Sequence, residues 1–196
     1  QSQIEQAQML PITEERKDVL QVLIDYVQQK VDQDQDINLN YICTHNSRRS
    51  QFSQIWGKVA AAFHGIDIHS YSGGVEVTAF NERAVASIER FGFKVNKKGE
   101  GNPKYFVFYS DDEDPIVTFS KVYDDAANAS KSFAAIMTCS QADEGCPFIA
   151  GTEKRVPLTF DDPKAFDGTD LMDEKYAERS LQIASEFFYV FSQLKK

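Results

Sequence analysis

A chain of 196 residues that is 42% hydrophobic, with 15 Phe and 26% charged residues, has the length of one domain and can bury a core, which excludes a largely disordered protein. A net charge of −9 argues against nucleic acid or an anionic membrane as the main partner. Three cysteines are too few for a disulfide framework, no apolar run is long enough to span a bilayer, and Gln1–Asp18 lacks the apolar core of a signal peptide, so a cytoplasmic location is expected.

Thr13, followed by Glu14, Glu15 and Arg16, has the pattern of a helix cap, and Val19, Leu20, Leu23, Tyr26, Val27 and Val31 follow at helical spacing. Residues 1–36 therefore read as an N-terminal helix and linker packed outside a main α/β domain of residues 37–196. Ile37–Ile42 predicts a strand entering a core, and Phe52, Ile55, Trp56, Val59, Ala60 and Phe63 predict a one-sided helix stopping at Gly65. The segment Cys43–Ser50 joins the two at a strand's carboxyl end, where α/β sheets bind ligands. Ile66–Ser72 reads as a second strand with Gly73-Gly74 as its turn, and Asn81 caps a helix carrying Ala84, Val85, Ile88 and Phe91. Tyr105–Tyr109 and Ile116–Phe119 flank an acidic turn and predict an inserted β-hairpin. Phe133–Thr138 predicts a buried parallel strand with Cys139 just beyond it. Arg155–Phe160 reads as a short last strand before Asp161-Asp162-Pro163, and Met172–Leu194 as a closing helix. The expected fold is a three-layer α/β sandwich with a central, mostly parallel four-stranded sheet flanked by helices.

Chemistry concentrates at three strand ends. Cys43-Thr-His-Asn-Ser-Arg-Arg-Ser50 is a Cys-x5-Arg arch whose successive backbone N–H groups, from Thr44, His45, Asn46, Ser47, Arg48, Arg49 and Ser50, can turn inward on a tetrahedral oxyanion. Arg49 adds a forked donor set, and the same positive surroundings favour a thiolate nucleophile at Cys43. Ser50 can hydrogen-bond that thiolate, Asn46 tolerates a left-handed backbone, and His45 lines the mouth. Cys139 and Cys146 stand in a polar, Gly-containing segment. Only Cys43, His45, His64 and His69 could complete a zinc set with them, without metal-like spacing, so no metal or cofactor is expected. A thiol relay suits the pair better: Cys139 attacks a sulfur-bound intermediate at Cys43, and Cys146 resolves the disulfide. Asp162, its backbone held by Pro163, stands where a general acid is required.

Together these segments resemble the thioredoxin-coupled arsenate reductases built on the low-molecular-weight protein tyrosine phosphatase fold, from about Leu39 to Leu194. That family's Cys-Thr-Gly-Asn-Ser-Cys-Arg-Ser-Gln appears as Cys43-Thr-His-Asn-Ser-Arg-Arg-Ser-Gln51, and its Tyr-Ser-Ala-Gly as Tyr71-Ser-Gly-Gly74. Its Cys-Ser-x-Ala-Asp-x-x-Cys-Pro is matched by Cys139–Pro147, and its Phe-Asp-Asp-Pro by Phe160–Pro163. The resemblance implies that Cys43, Arg49, Cys139, Cys146 and Asp162 are catalytic and that Ser72 joins Asn46 and Ser50 in supporting the loop. It further implies reduction of arsenate to arsenite, a Cys43–Cys139 disulfide followed by a Cys139–Cys146 disulfide, and thioredoxin as partner. The alternative is a phosphatase hydrolysing phosphotyrosine or small phosphoesters through a Cys43 phosphoenzyme. Arg48 and His45 depart from the family loop, and Gln54 stands where some relatives carry an acidic residue that binds potassium.

Overall fold

The computed structural model describes residues 3–145 and 148–195. In chain order its elements are α1 (Gln3–Met9), α2 (Glu14–Asp32), β1 (Asn38–Cys43), α3 (Arg49–Phe63), β2 (His69–Gly74), α4 (Glu82–Arg90), β3 (Lys94–Lys98), β4 (Lys104–Phe108), β5 (Ile116–Thr118), β6 (Phe133–Met137), α5 (Ser140–Gly145), β7 (Thr152–Val156), a 3-10 turn (Pro163–Phe166) and α6 (Met172–Ser192). The order β2-β1-β6-β7 makes a four-stranded sheet in which every pairing is parallel. Helices flank it, as the alternating pattern requires.

Both faces of β1 and β6 are covered, which explains their near-continuous apolar runs. Leu39, Tyr41, Ala134 and Ile136 join one core with Phe52, Trp56, Phe187 and Phe191 of α3 and α6. Ile42, Phe133, Ala135 and Met137 belong to a smaller cluster with Cys43, Cys139, Ala142 and Ile149. Trp56 Nε1 donates to Ser180 Oγ at 2.8 Å, satisfying the one polar atom of that buried ring.

The N-terminal helix shares this core. Thr13 caps it through Arg16 N–H, and Leu20, Leu23 and Val27 are fully buried. Arg16 grips Glu186 of α6 through two bonds of 2.9 and 2.8 Å. Lys30 reaches Glu153 of β7 at 2.8 Å and holds that carboxyl below its ordinary pKa. A short α1 precedes it and packs Ala7 into the same core.

Several elements differ from the sequence reading: the N-terminal segment holds two helices rather than one, and the last strand is Thr152–Val156 rather than Arg155–Phe160. The expected hairpin is a three-stranded antiparallel sheet, β3-β4-β5, whose extra strand Lys94–Lys98 is largely exposed and has only Val95 as an apolar signal. Gly73 and Gly74 are not a turn but the end of β2, paired with Ile42 and Cys43. A Cβ at Gly74 would lie 2.7 Å from Asn46 N and 2.8 Å from Thr44 O, so glycine is needed for close approach of two backbones.

Candidate active site

Parallel pairing brings the reactive strand ends together. Cys43 is the last residue of β1, and the register Ile42↔Met137 puts Cys139 on the same edge of the sheet, two residues past its neighbour. Both cysteines are buried. The Cys43 segment then arches into α3, whose first residue is Arg49.

Hydrogen bonds shape the arch from within. Asn46 N–H donates to Cys43 Sγ at 3.2 Å, and Ser50 Oγ lies 3.0 Å from the same sulfur. The Asn46 N–H thus points at the sulfur, and the Ser50 hydroxyl lies within hydrogen-bond reach of it. Asn46 has a left-handed backbone, φ 46°, and is fully buried. Its Nδ2 donates to Ser50 Oγ at 2.8 Å, and its Oδ1 accepts from Lys121 N–H at 3.0 Å. Gln51 Nε2 donates to Asn46 O at 2.9 Å. Ser72 stands one layer back, donating to Gln54 Oε1 at 2.6 Å while Gln54 Nε2 reaches Ser70 O and Val117 O.

Arg49 is anchored on the opposite wall. Nη1 donates to Phe160 O at 3.0 Å and Nη2 to Asp162 Oδ2 at 2.9 Å. Asp162 also caps the 3-10 turn through Lys164 N–H, so the Asp-Pro segment sits directly across from the loop. His45, Arg49, Ser140, Gln141, Asp162 and Lys164 border a cleft of ≈ 630 Å³. The His45 side chain is half-exposed there, 3.5 Å from Glu76, while its carbonyl accepts from Ser120 Oγ and Thr78 Oγ1.

Cys139 lies beside the loop. Thr44 Oγ1 is 3.4 Å from Cys139 Sγ, and Thr44 directly follows the candidate nucleophile. The segment after it is helical, not an open loop: α5 is fastened to β7 by Arg155 Nε on Asp143 Oδ1 at 2.9 Å. Cys146 and Pro147 lie outside the described residues. Among the described residues no three His, Cys, Asp or Glu side chains gather as a metal set.

Two loop side chains point away from the place expected for an oxyanion. Ser47 Oγ donates to Ala79 O at 2.7 Å. Arg48 Nε donates to Tyr176 OH at 2.8 Å, and that hydroxyl donates to Asp167 Oδ1 at 2.9 Å. Arg48 therefore does not bring its charge to the mouth; an aromatic hydroxyl and a carboxylate on the far side of the loop hold it. Arg83 reaches the other oxygen of Asp167 at 3.1 Å. Burial pushes the Tyr176 hydroxyl above its ordinary pKa, with Arg48 pulling the other way. Sequence reasoning missed Asp167, Tyr176, Ser120 and Lys121, since none stands in a motif and each reaches the loop from a distant segment.

No family model matches the chain. An arsenate reductase of Bacillus licheniformis is 30% identical over 137 residues, 70% of this chain and 80% of the relative. One from Halalkalibacterium halodurans is 28% identical over 137 residues with the same coverage, and one from Staphylococcus epidermidis 28% identical over 123 residues, 63% of this chain and 76% of its own. Among solved structures, a low-molecular-weight phosphotyrosine phosphatase from Vibrio cholerae aligns with a TM-score of 0.54 at 13% identity, over 80% of this chain and 94% of that one. A low-molecular-weight protein tyrosine phosphatase from T. tengcongensis aligns at 0.52 and 15% identity, over 81% and 100%. With its Cys-x5-Arg arch at the carboxyl edge of a four-stranded parallel sheet and a second cysteine against that arch, the chain belongs to the arsenate reductase family, on the fold of the low-molecular-weight protein tyrosine phosphatases.

Proposed function

We propose that the protein reduces arsenate to arsenite through Cys43, Cys139 and Cys146, with thioredoxin as reductant. The observation that carries this reading is the second buried thiol at the loop: Thr44 Oγ1 stands 3.4 Å from Cys139 Sγ, and Cys139 and Cys43 share one small core cluster. A hydrolase needs one thiol here; a two-electron reduction needs a second within reach of the first.

The arch and the Arg49 guanidinium hold the arsenate oxygens. The Cys43 thiolate attacks arsenic, and Asp162 protonates the departing oxygen, which leaves as water. The Cys139 thiolate then attacks Cys43 Sγ, the arsenic–sulfur electron pair stays on arsenic, and arsenite departs. Cys146 attacks Cys139, which releases Cys43 as thiolate and leaves a Cys139–Cys146 disulfide. Two electrons from a thioredoxin dithiol close the cycle. Burial of Cys139 agrees with an attacker that acts inside the site and is exposed to an external reductant only after α5 moves.

The test is arsenate-dependent NADPH consumption with thioredoxin and thioredoxin reductase. Cys139→Ser is expected to hold the Cys43–arsenic adduct, releasing no arsenite and consuming no NADPH. Equal steady-state turnover of wild type and Cys139→Ser overturns the relay. Brisk p-nitrophenyl phosphate hydrolysis that survives Cys139→Ser, without arsenate reduction, establishes the phosphatase instead.

A further inference from the structure

A second cationic cavity lies away from the Cys43 cleft and shares no lining residue with it. It is a groove of ≈ 410 Å³ between β2, at the edge of the parallel sheet, and β5, at the edge of the antiparallel one. Gln54 stitches its floor, donating to Ser70 O on one side and Val117 O on the other, so the groove is preformed. Tyr71 and Phe119 contribute aromatic walls.

Lys121 lines this groove and is only 4% exposed. Among the described residues no carboxylate or carbonyl bonds its ammonium, which rests 4.6 Å from the centre of the Phe119 ring. Lys104 places a second ammonium 5.1 Å from the same ring, also without a carboxylate partner among the described residues. Other charges nearby are committed or weaker. Lys58 is paired with Asp67 at 3.1 Å, and Asp125 pulls on Lys121 only against a larger cost of burial. Asp114 borders the groove and is exposed. An ammonium set on a mostly buried side chain, against an aromatic ring and with no carboxylate bonded to it, is costly in a folded protein, and a second cation beside it raises that cost. Nothing in the arsenate chemistry uses either lysine.

We propose that this groove binds a small organic anion, an oxyanion headgroup on an aromatic or apolar body, with Lys121 and Lys104 as its counter-charges. The headgroup, a carboxylate or a phosphate monoester, offsets the two ammonium groups while the body lies against Tyr71 and Phe119. The volume suits one metabolite-sized molecule.

Pyridoxal 5′-phosphate is the probe. Its phosphate needs a cationic site, and its aldehyde condenses with a neutral amine, releasing water to give an imine that borohydride reduces. At pH about 8, where burial leaves a large share of Lys121 uncharged, peptide mapping is expected to find Lys121 labelled about tenfold over exposed lysines such as Lys98. Pyridoxal without the phosphate is expected to label it several-fold less, and Lys104→Gln, an exposed change, to lower labelling by a similar factor. Benzoate and inorganic phosphate, added separately, distinguish the headgroups, and protection by either supports the site. Arg49→Ala, which disables the Cys43 loop, should leave labelling and protection unchanged. Equal labelling by the two aldehydes, insensitivity to Lys104→Gln, protection by neither anion, or protection lost in Arg49→Ala overturns the inference.

Discussion

Arg49 Nη2 donates to Asp162 Oδ2 at 2.9 Å across 113 residues of sequence. The residue proposed to grip the anion and the residue proposed to supply the proton are thus held as one unit on opposite walls of the cleft. Asp162→Asn keeps an oxygen that can accept from Arg49 but has no acidic proton. Turnover should fall on the order of 10²–10⁴-fold with little change in KM. Single-turnover kinetics on arsenate or p-nitrophenyl phosphate measure this. An unchanged kcat removes Asp162 from the role of acid.

The second wall of the loop is the Arg48–Tyr176–Asp167 chain. Asp167 closes the 3-10 turn that Asp162 opens, so Arg48 ties the Asp162 segment to the Cys43 loop from behind. Tyr176→Phe leaves Arg48 Nε and one Asp167 oxygen short of a partner. A stability loss of about 1–3 kcal/mol is expected in urea unfolding. Loss of kcat should exceed any change in KM, and stability and kcat both matching wild type would show that the chain carries no restraint.

Gly74 tests the close approach of β2 to the loop. Gly74→Ala places a methyl group 2.8 Å from Thr44 O and Glu76 O, both backbone atoms that cannot swing aside. The cost should be about 1–3 kcal/mol, with weakened phosphate binding because Thr44 and Asn46 must move. Thermal unfolding with and without phosphate separates the two effects.

Lys121 sets a pH dependence of stability. Burial lowers its folded-state pKa to about 8, against 10.5 for the ordinary lysine. Below about pH 8 the amine is charged in both states and the full cost of burying the ammonium is present. Between about pH 8 and 10.5 the unfolded chain holds a proton that the folded protein has released, so stability rises with pH across that window. The rise attributable to this group is on the order of 3 kcal/mol. Denaturant unfolding in phosphate-free buffer should show wild type gaining on Lys121→Met as pH increases. Parallel curves for the two proteins would show that the ammonium is not desolvated.

Much of the architecture was legible because apolar periodicity is local. The spacing in Phe52–Phe63 marked α3, the unbroken run Phe133–Met137 marked a strand covered on both faces, and Thr13 and Asn81 marked two helix starts. Lys94–Lys98 escaped because a largely exposed strand with four polar residues out of five carries no such signal. Gly73-Gly74 misled for the opposite reason: paired glycines usually make turns, but here they let two backbones touch.

The sequence by itself determined which residues could do chemistry: three thiols, a Cys-x5-Arg arch and an Asp-Pro segment, each placed after a strand by a pattern readable within some ten residues. Tertiary structure decided which of them meet, and through whom. Parallel pairing set Cys139 beside Thr44, the segment after β7 brought Asp162 to Arg49, and Tyr176 and Asp167 drew Arg48 away from the mouth. The contacts made to the Cys43 loop join residues some ninety to one hundred and thirty positions apart. No local propensity encodes them, because they arise only when distant segments share one sheet edge and one buried cluster.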